Sequence, residues 1–266
     1  MRSVAALIRA GLLTASSYRL GMVFSVLGLF ASFVPLYFIS GAIQPVVEES
    51  IRLEGGQYFG FLIVGIGATF MLTSAVSSVP ASLAGSISSG TFEALLVTRT
   101  SAYQLLLGLS GYGVAWSALR ALLLVAGASM VGVQVAWTAL PAVAAVIAIM
   151  TAAYFALGLI AGAFVLVFRT SGPLTTAIIT ASGLLGGVYY STSVIPSWLN
   201  DLSALVPLTY ALRASRMLLL GGADASAVTS DVVTLAVFTL ALLVASMTAF
   251  TLALRYARRA GTLSQY

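Results

Sequence analysis

Long apolar runs separated by short polar punctuation set the pattern of this chain. A helix that crosses a bilayer needs about 20 mostly apolar residues. Six stretches reach that length: Leu20–Ile43, Tyr58–Val79, Leu105–Val131, Leu140–Phe168, Gly172–Tyr190 and Val232–Leu254. They are continuously apolar, without the two-residue alternation of barrel strands, and this predicts helices. Pro141 and Pro173 fall in the opening turns of the fourth and fifth spans, where a missing N–H costs little. Pro80 is expected to stop the second span, and Pro35 to kink the first. The chain reads as one all-α membrane domain over residues 1–266, with six transmembrane helices.

Two segments depart from the spans. In Met1–Arg19, Val4, Leu7, Ile8, Leu12 and Ala15 recur at helical spacing, with Arg2 and Arg9 a heptad apart. That predicts an amphipathic interfacial helix on an anionic leaflet; a frayed polar leader is the plainer alternative. The following apolar run is too long for the core of a signal peptide, and no A-x-A site follows it. Residues 191–230 are apolar in part, yet Leu202–Leu220 holds Pro207, Arg213 and Arg216. Each mid-bilayer arginine costs about 2.5–3.5 kcal/mol on insertion scales, so a seventh span is disfavoured. A re-entrant helical hairpin between helices 5 and 6 is expected instead, with a short helix near Pro196–Leu205 and a second over Pro207–Leu220.

Composition excludes much of the remaining chemistry. Of 266 residues, 60% are hydrophobic and 7% charged, against about 25% charged in soluble domains, so a water-soluble fold is ruled out. There is no cysteine, histidine or lysine, and all 12 basic residues are arginine. Thiol nucleophiles, Fe–S clusters, the usual zinc sites and Ser-His catalysis are therefore absent. A Walker A motif needs a lysine at the nucleotide phosphates, so this chain is not an ATPase, and no cofactor or metal is expected on it. The arginines lie singly between apolar runs and form no stripe for nucleic acid.

Charge placement predicts the orientation. With both termini cytoplasmic, the inner side receives Arg2, Arg9, Arg19, Arg99, Arg169, Arg255, Arg258 and Arg259. The outer side receives Arg52, Arg213 and Arg216 together with Glu48, Glu49, Glu54, Asp201, Asp224 and Asp231. Glu48 and Glu49 have neither the spacing nor the histidines of paired-glutamate intramembrane proteases, and read as a solvated loop.

No carboxylate falls within a predicted hydrocarbon segment, whereas ion-coupled transporters generally carry one there. Energy is therefore expected to enter from elsewhere. The ionisable group deep in a span is Arg120, which either faces a path or snorkels and bonds a neighbouring helix. Gly158/Gly162 and Gly183/Gly187 are small-xxx-small pairs, for which packing within the chain is favoured over a dimer seam. Gly186 and Gly187 are expected to let the fifth helix break and turn back.

Two stretches carry a resemblance. One is Ser89-Gly90-Thr91-Phe92-Glu93-Ala94-Leu95-Leu96-Val97-Thr98-Arg99-Thr100-Ser101. The other runs through Gly186-Gly187-Val188-Tyr189-Tyr190, Ile195-Pro196-Ser197-Trp198-Leu199 and Val206-Pro207-Leu208-Thr209-Tyr210 to Arg213. With six spans and an amphipathic start, the chain resembles an ABC-2 type permease, the membrane subunit of ABC exporters of drugs, polysaccharides or lipids.

The resemblance implies a multi-pass protein of the inner (cytoplasmic) membrane that pairs with a second permease copy or homologue. It further implies two copies of a separate ABC ATPase, which would carry the ATP and Mg. Gly90, Thr91, Phe92, Glu93 and Arg99 would then belong to an ATPase-coupling loop (residues 80–104). Charged groups suit docking to a soluble partner, although Glu93 also reads as an acid favoured early in a short interfacial helix. Pro196, Trp198, Pro207, Tyr210 and Arg213 would belong to the outer hairpin that closes the exit, and Arg120, Tyr189 and Tyr190 to a transport path for an amphipathic substrate. An aromatic belt is the ordinary alternative for Tyr189, Tyr190 and Trp198. An ion-coupled secondary transporter or channel, or a membrane scaffold without transport activity, remains the rival reading.

Overall fold

A computed structural model describes residues 19–31, 33–88, 102–168, 170 and 172–259. Among these residues all regular structure is helical. The elements are α1 (Arg19–Ala31), α2 (Phe33–Val47), a 3₁₀ turn (Glu49–Glu54), α3 (Tyr58–Ser88), α4 (Ala102–Met130), α5 (Leu140–Phe168), α6 (Gly172–Leu185), α7 (Ser197–Ser203), α8 (Pro207–Leu219) and α9 (Thr229–Arg259). The expected interfacial helix before Arg19 lies outside the described residues.

Five helical stretches among the described residues are long and apolar enough to cross a membrane: Val23–Val47, Tyr58–Ser88, Gly111–Met130, Trp137–Phe168 and Ala225–Ala257. The fifth expected span differs. Its helix ends at Leu185 after 14 residues, about 21 Å of rise against a hydrocarbon core of about 30 Å. The reason is local: Gly187 sits at φ 73°, a left-handed conformation that costs glycine little, and the chain turns back there. Beyond the turn, α7 and α8 occupy the two segments where the sequence predicts short helices.

The hub is α3, which packs along α4 and α5 and also meets α2, α6 and α8. Of its most apolar window 72% is buried, against 17% for the peripheral α9. One buried cluster joins α3, α5 and α8 through Leu72, Val76, Met150, Tyr154, Leu208 and Leu212. A second, at the opposite end, joins α3, α5 and α9 through Val79, Leu83, Leu166 and Phe250. A third ties α1 and α2 to α3 and α4 through Leu29, Phe33, Phe59 and Leu124.

Pro80 does not stop the second span. Helix α3 runs through it to Ser88, so residues expected to open the cytoplasmic loop are helical. A proline removes the bond to the carbonyl four residues back, here that of Val76. Membrane helices tolerate this where a neighbouring helix covers the freed group. Gly158 of α5 does so: a Cβ there would stand 2.8 Å from the Ala75 carbonyl oxygen and 2.9 Å from that of Val76. One turn on, a Cβ at Gly162 would meet Val79 at 2.8 Å. This glycine pair therefore serves packing between α3 and α5, as the intrachain reading expects. Pro35 lies in the opening turn of α2 as described.

Gly158→Leu should destabilise the protein by about 1–3 kcal/mol through overpacking, read as a lower thermal transition in detergent. Gly183, around which a Cβ would meet nothing within 4 Å, should accept alanine with little change.

Candidate functional site

Helix α8 begins with Pro207 in its first turn, after an extended Val206. From its first turn Thr209 Oγ1 donates back to the Ser203 carbonyl at 2.8 Å, and Tyr210 Oη to that of Ala204 at 2.8 Å. The preceding α7 is in turn tied to the end of α6, because Ser203 Oγ donates to the Leu185 carbonyl. Leu208, Ala211, Leu212, Ser215 and Leu219 recur every three or four residues and are buried. Such spacing seats one face of a helix on the bundle.

That face also carries a charge. Arg216 is 2% exposed, and each of its five N–H groups has an acceptor. Nε and Nη2 donate to the Phe61 carbonyl at 3.2 and 3.1 Å. Nη2 also donates to the Val188 carbonyl, and Nη1 to that of Gly187, both at 3.0 Å. The last Nη1 hydrogen meets Glu54 Oε2 at 3.3 Å. The guanidinium lies 3.3 Å from the centroid of the Phe61 ring, well within cation–π range. One side chain thus joins the 3₁₀ turn, the start of α3, the turn after α6, and α8.

The pair is electrostatically costly and geometrically complete. Burial raises the Glu54 carboxyl above its usual range, and Arg216 pulls the other way. Burial likewise lowers Arg216 to about 10, against the pull of Glu54, so the guanidinium stays charged at neutral pH. Only a planar five-donor fork satisfies three backbone carbonyls and a carboxylate together. A Cβ at Gly65 would stand 2.6 Å from the Val188 carbonyl oxygen and 2.9 Å from Arg216 Nη2, so glycine is what admits both.

A second pair stands beside it. Arg213 grips Asp231 through two bonds, Nε to Oδ2 at 2.8 Å and Nη2 to Oδ1, and so joins α8 to the first turn of α9. Its side chain is 46% exposed, and its guanidinium lies 5.8 Å from the Tyr210 ring. Pro196 caps the start of α7, and the Trp198 beside it is exposed. Tyr189 is exposed, and its carbonyl accepts from Tyr58 Oη at 2.9 Å. Tyr190 Oη donates to the Leu184 carbonyl. The expected hairpin residues therefore gather at the end of the bundle where α3 and α9 begin.

Arg120 sits elsewhere. It is ten residues from the end of α4, about 15 Å along the axis. Nη2 donates to Ser25 Oγ of α1 at 2.5 Å, and the guanidinium lies 5.4 Å from the Trp116 ring. Its Nε is buried without an acceptor, and no carboxylate pairs with it among the described residues. No hydrogen bond or ring contact joins it to Tyr189 or Tyr190 among them. Gly90, Thr91, Phe92, Glu93 and Arg99 lie outside the described residues.

Sequence reasoning did not single out Arg216, Glu54 or Gly65 as a unit. The signal was present: two arginines three apart in an apolar segment, with Glu54 and Asp231 assigned to the same side as both.

Against known proteins, the sequence matches the family described as ABC-2 type transporter over residues 4–220. It is 31% identical over 181 residues to the inner membrane transport permease YadH of Escherichia coli strain K12, covering 67% of this chain and 69% of that protein. It is 28% identical over 201 residues to Nodulation protein J of Rhizobium leguminosarum bv. viciae, covering 74% of this chain and 75% of that one.

Arg216→Ala, which leaves Glu54 buried without its partner, should cost about 3–5 kcal/mol, seen in thermal unfolding of the detergent-purified protein. Gly65→Ala should lower stability through the same contacts with no charge removed. Trp198→Ala on the exposed surface should stay within about 0.5 kcal/mol of the parent.

Proposed function

Because the chain belongs to the ABC-2 type transporter family, we propose that it is the membrane subunit of an ATP-driven exporter in the inner membrane. A separate ATPase supplies the energy. In this reading two permeases pair, each docks one ATPase copy through the Gly90–Arg99 segment, and both termini face the cytoplasm. Closure of the ATPases on ATP pushes the cytoplasmic segments and rocks the helices. A path then opens toward the end of the bundle closed by α7 and α8.

The observation that carries this reading is where the charges stand. Glu54 and Asp231, at that end, are each committed to an arginine. No acid lies at depth in a described span, where ion-coupled transporters generally carry one for the coupling ion. Arg120 is the charged group at depth, with one buried N–H still unpaired. That supports a cargo with an apolar body and an anionic or hydrogen-bond-accepting group, such as a lipid, a glycan-like lipid or an amphipathic drug.

In membranes from its own cells, the tagged chain should co-purify with a Walker-motif ATPase. Glu93→Ala and Arg99→Ala should weaken capture and uncouple ATP hydrolysis from transport. Uphill solute movement by the reconstituted chain alone, driven by an ion gradient, would overturn the reading. Reporter tags should place both termini in the cytoplasm. Arg120→Leu should lower transport about tenfold, the worth of one charge-assisted bond, while basal ATP hydrolysis by the complex persists.

A further inference from the structure

Helices α4 and α5 each pack along α3 yet hardly touch one another. Between them lies a cavity of about 530 Å³, floored by α3 and closed at one end by Ser215 and Leu219 of α8. Small residues make the room, with Gly67 and Ala68 on the floor and Ala118 and Ala121 on one wall. Ala118 and Leu122 of α4, and Ala144 and Ala148 of α5, line it and are exposed. The mouth therefore opens sideways between two membrane-spanning helices, toward the bilayer and not toward water. This is a different face of α4 from the one carrying Arg120.

Shape narrows the occupant. Along α5 the cavity runs from Leu140 to Thr151, about 16 Å of rise, so it is an elongated slot between two helices. It suits a single hydrocarbon chain, and its volume lies within the range of about 300–1,000 Å³ typical of ligand sites.

The polar groups narrow it further. Thr151 Oγ1 is committed to the Ile147 carbonyl at 2.7 Å. Hydroxyls elsewhere bond back along their own helices in the same way, as Thr69 does to Gly65 and Thr239 to Leu235. Ser215 does not: it is fully buried, and its Oγ has no partner. A buried hydroxyl left unbonded is costly, so a ligand acceptor at this point would be favoured. Ser215 adjoins Arg216, whose Nη2 reaches Gly65, seven residues or about 10 Å into α3. With Leu219, Ser215 closes the cavity at the end where α5 begins at Leu140, the shallow end of the slot and the one nearer the level of lipid ester carbonyls.

We propose that this cavity holds one acyl chain of a membrane phospholipid, inserted from the side between α4 and α5, with Ser215 Oγ donating to the chain's ester carbonyl. The site depends on the chain's place in the bilayer and not on coupling to an ATPase, so failure of the exporter reading would leave it standing.

The test is photolabelling of the full-length protein in phosphatidylcholine vesicles doped with a phosphatidylcholine bearing a diazirine on one acyl chain. Labelling at Ala118, Leu122, Ala144 and Ala148 should saturate as the probe fraction rises. Labelling on the exposed face of α9, at Val237 and Val244, should rise linearly and reports that the protein is inserted and folded. Ala148→Phe, or Ala144→Phe if the first variant misfolds, should abolish the saturable component and leave the α9 labelling unchanged. Ser215→Ala should raise the half-saturating probe fraction about two- to tenfold, the worth of one hydrogen bond. Linear labelling at the cavity, labelling indifferent to both phenylalanine variants, or an unchanged half-saturation in Ser215→Ala would each overturn the proposal.

Discussion

A guanidinium with nowhere to go but inward organises one end of this bundle. Arg216 is carried into the interior by a helix whose apolar face has to be buried, and taking a charge out of water is repaid only when its hydrogen bonds are met. The acceptors come from three separate places: a helix opening at Phe61, a tight turn at Gly187 and Val188, and an acidic turn at Glu54. Each is constrained as a result. The turn has to present its carbonyls inward, and α3 has to bring Gly65 close enough that no side chain intervenes. The short α6 fits the same logic, since the chain has to leave the helix early to reach the arginine.

How much of this the sequence discloses depends on the range of the interaction. The long helices follow from apolar runs: α5 has the predicted bounds, and α7 and α8 sit where Pro196 and Pro207 suggest. Local signals misled where a neighbour intervened. Pro80 reads as a stop in isolation, but Gly158 lies 78 positions away in the chain and covers the carbonyls it disturbs. The fifth span reads as long by hydropathy alone, whereas the Gly186–Gly187 pair does mark where its helix turns back, and the chain reverses there. The Arg216–Glu54 contact joins residues 162 apart, and no periodicity connects them. Of the expected site residues, Pro196, Trp198, Pro207, Tyr210 and Arg213 gather at one end, Arg120 stands apart, and the loop Gly90–Arg99 falls outside the described residues.

Packing and charge share the work of holding this bundle together. The hub α3 and its neighbours hold together by close backbone approach and apolar packing, as membrane helices do when hydrophobicity alone gives no preference for one another over lipid. Among the described residues the ion pairs stand at the end where α8 crosses the bundle, and there they join segments that packing alone would leave loosely related. The middle holds Arg120 against Ser25 and Trp116, and a greasy recess on the opposite face of the same helix.

The long separation between Glu54 and Arg216 also has a temporal side. Synthesis proceeds at about 5–20 residues per second, so the acid leaves the ribosome about 8–32 s before its arginine. Over that interval α3, α4 and α5 are made while Glu54 still lacks its partner. The clasp is therefore a late one: the last third of the polypeptide fastens a corner laid down by the first.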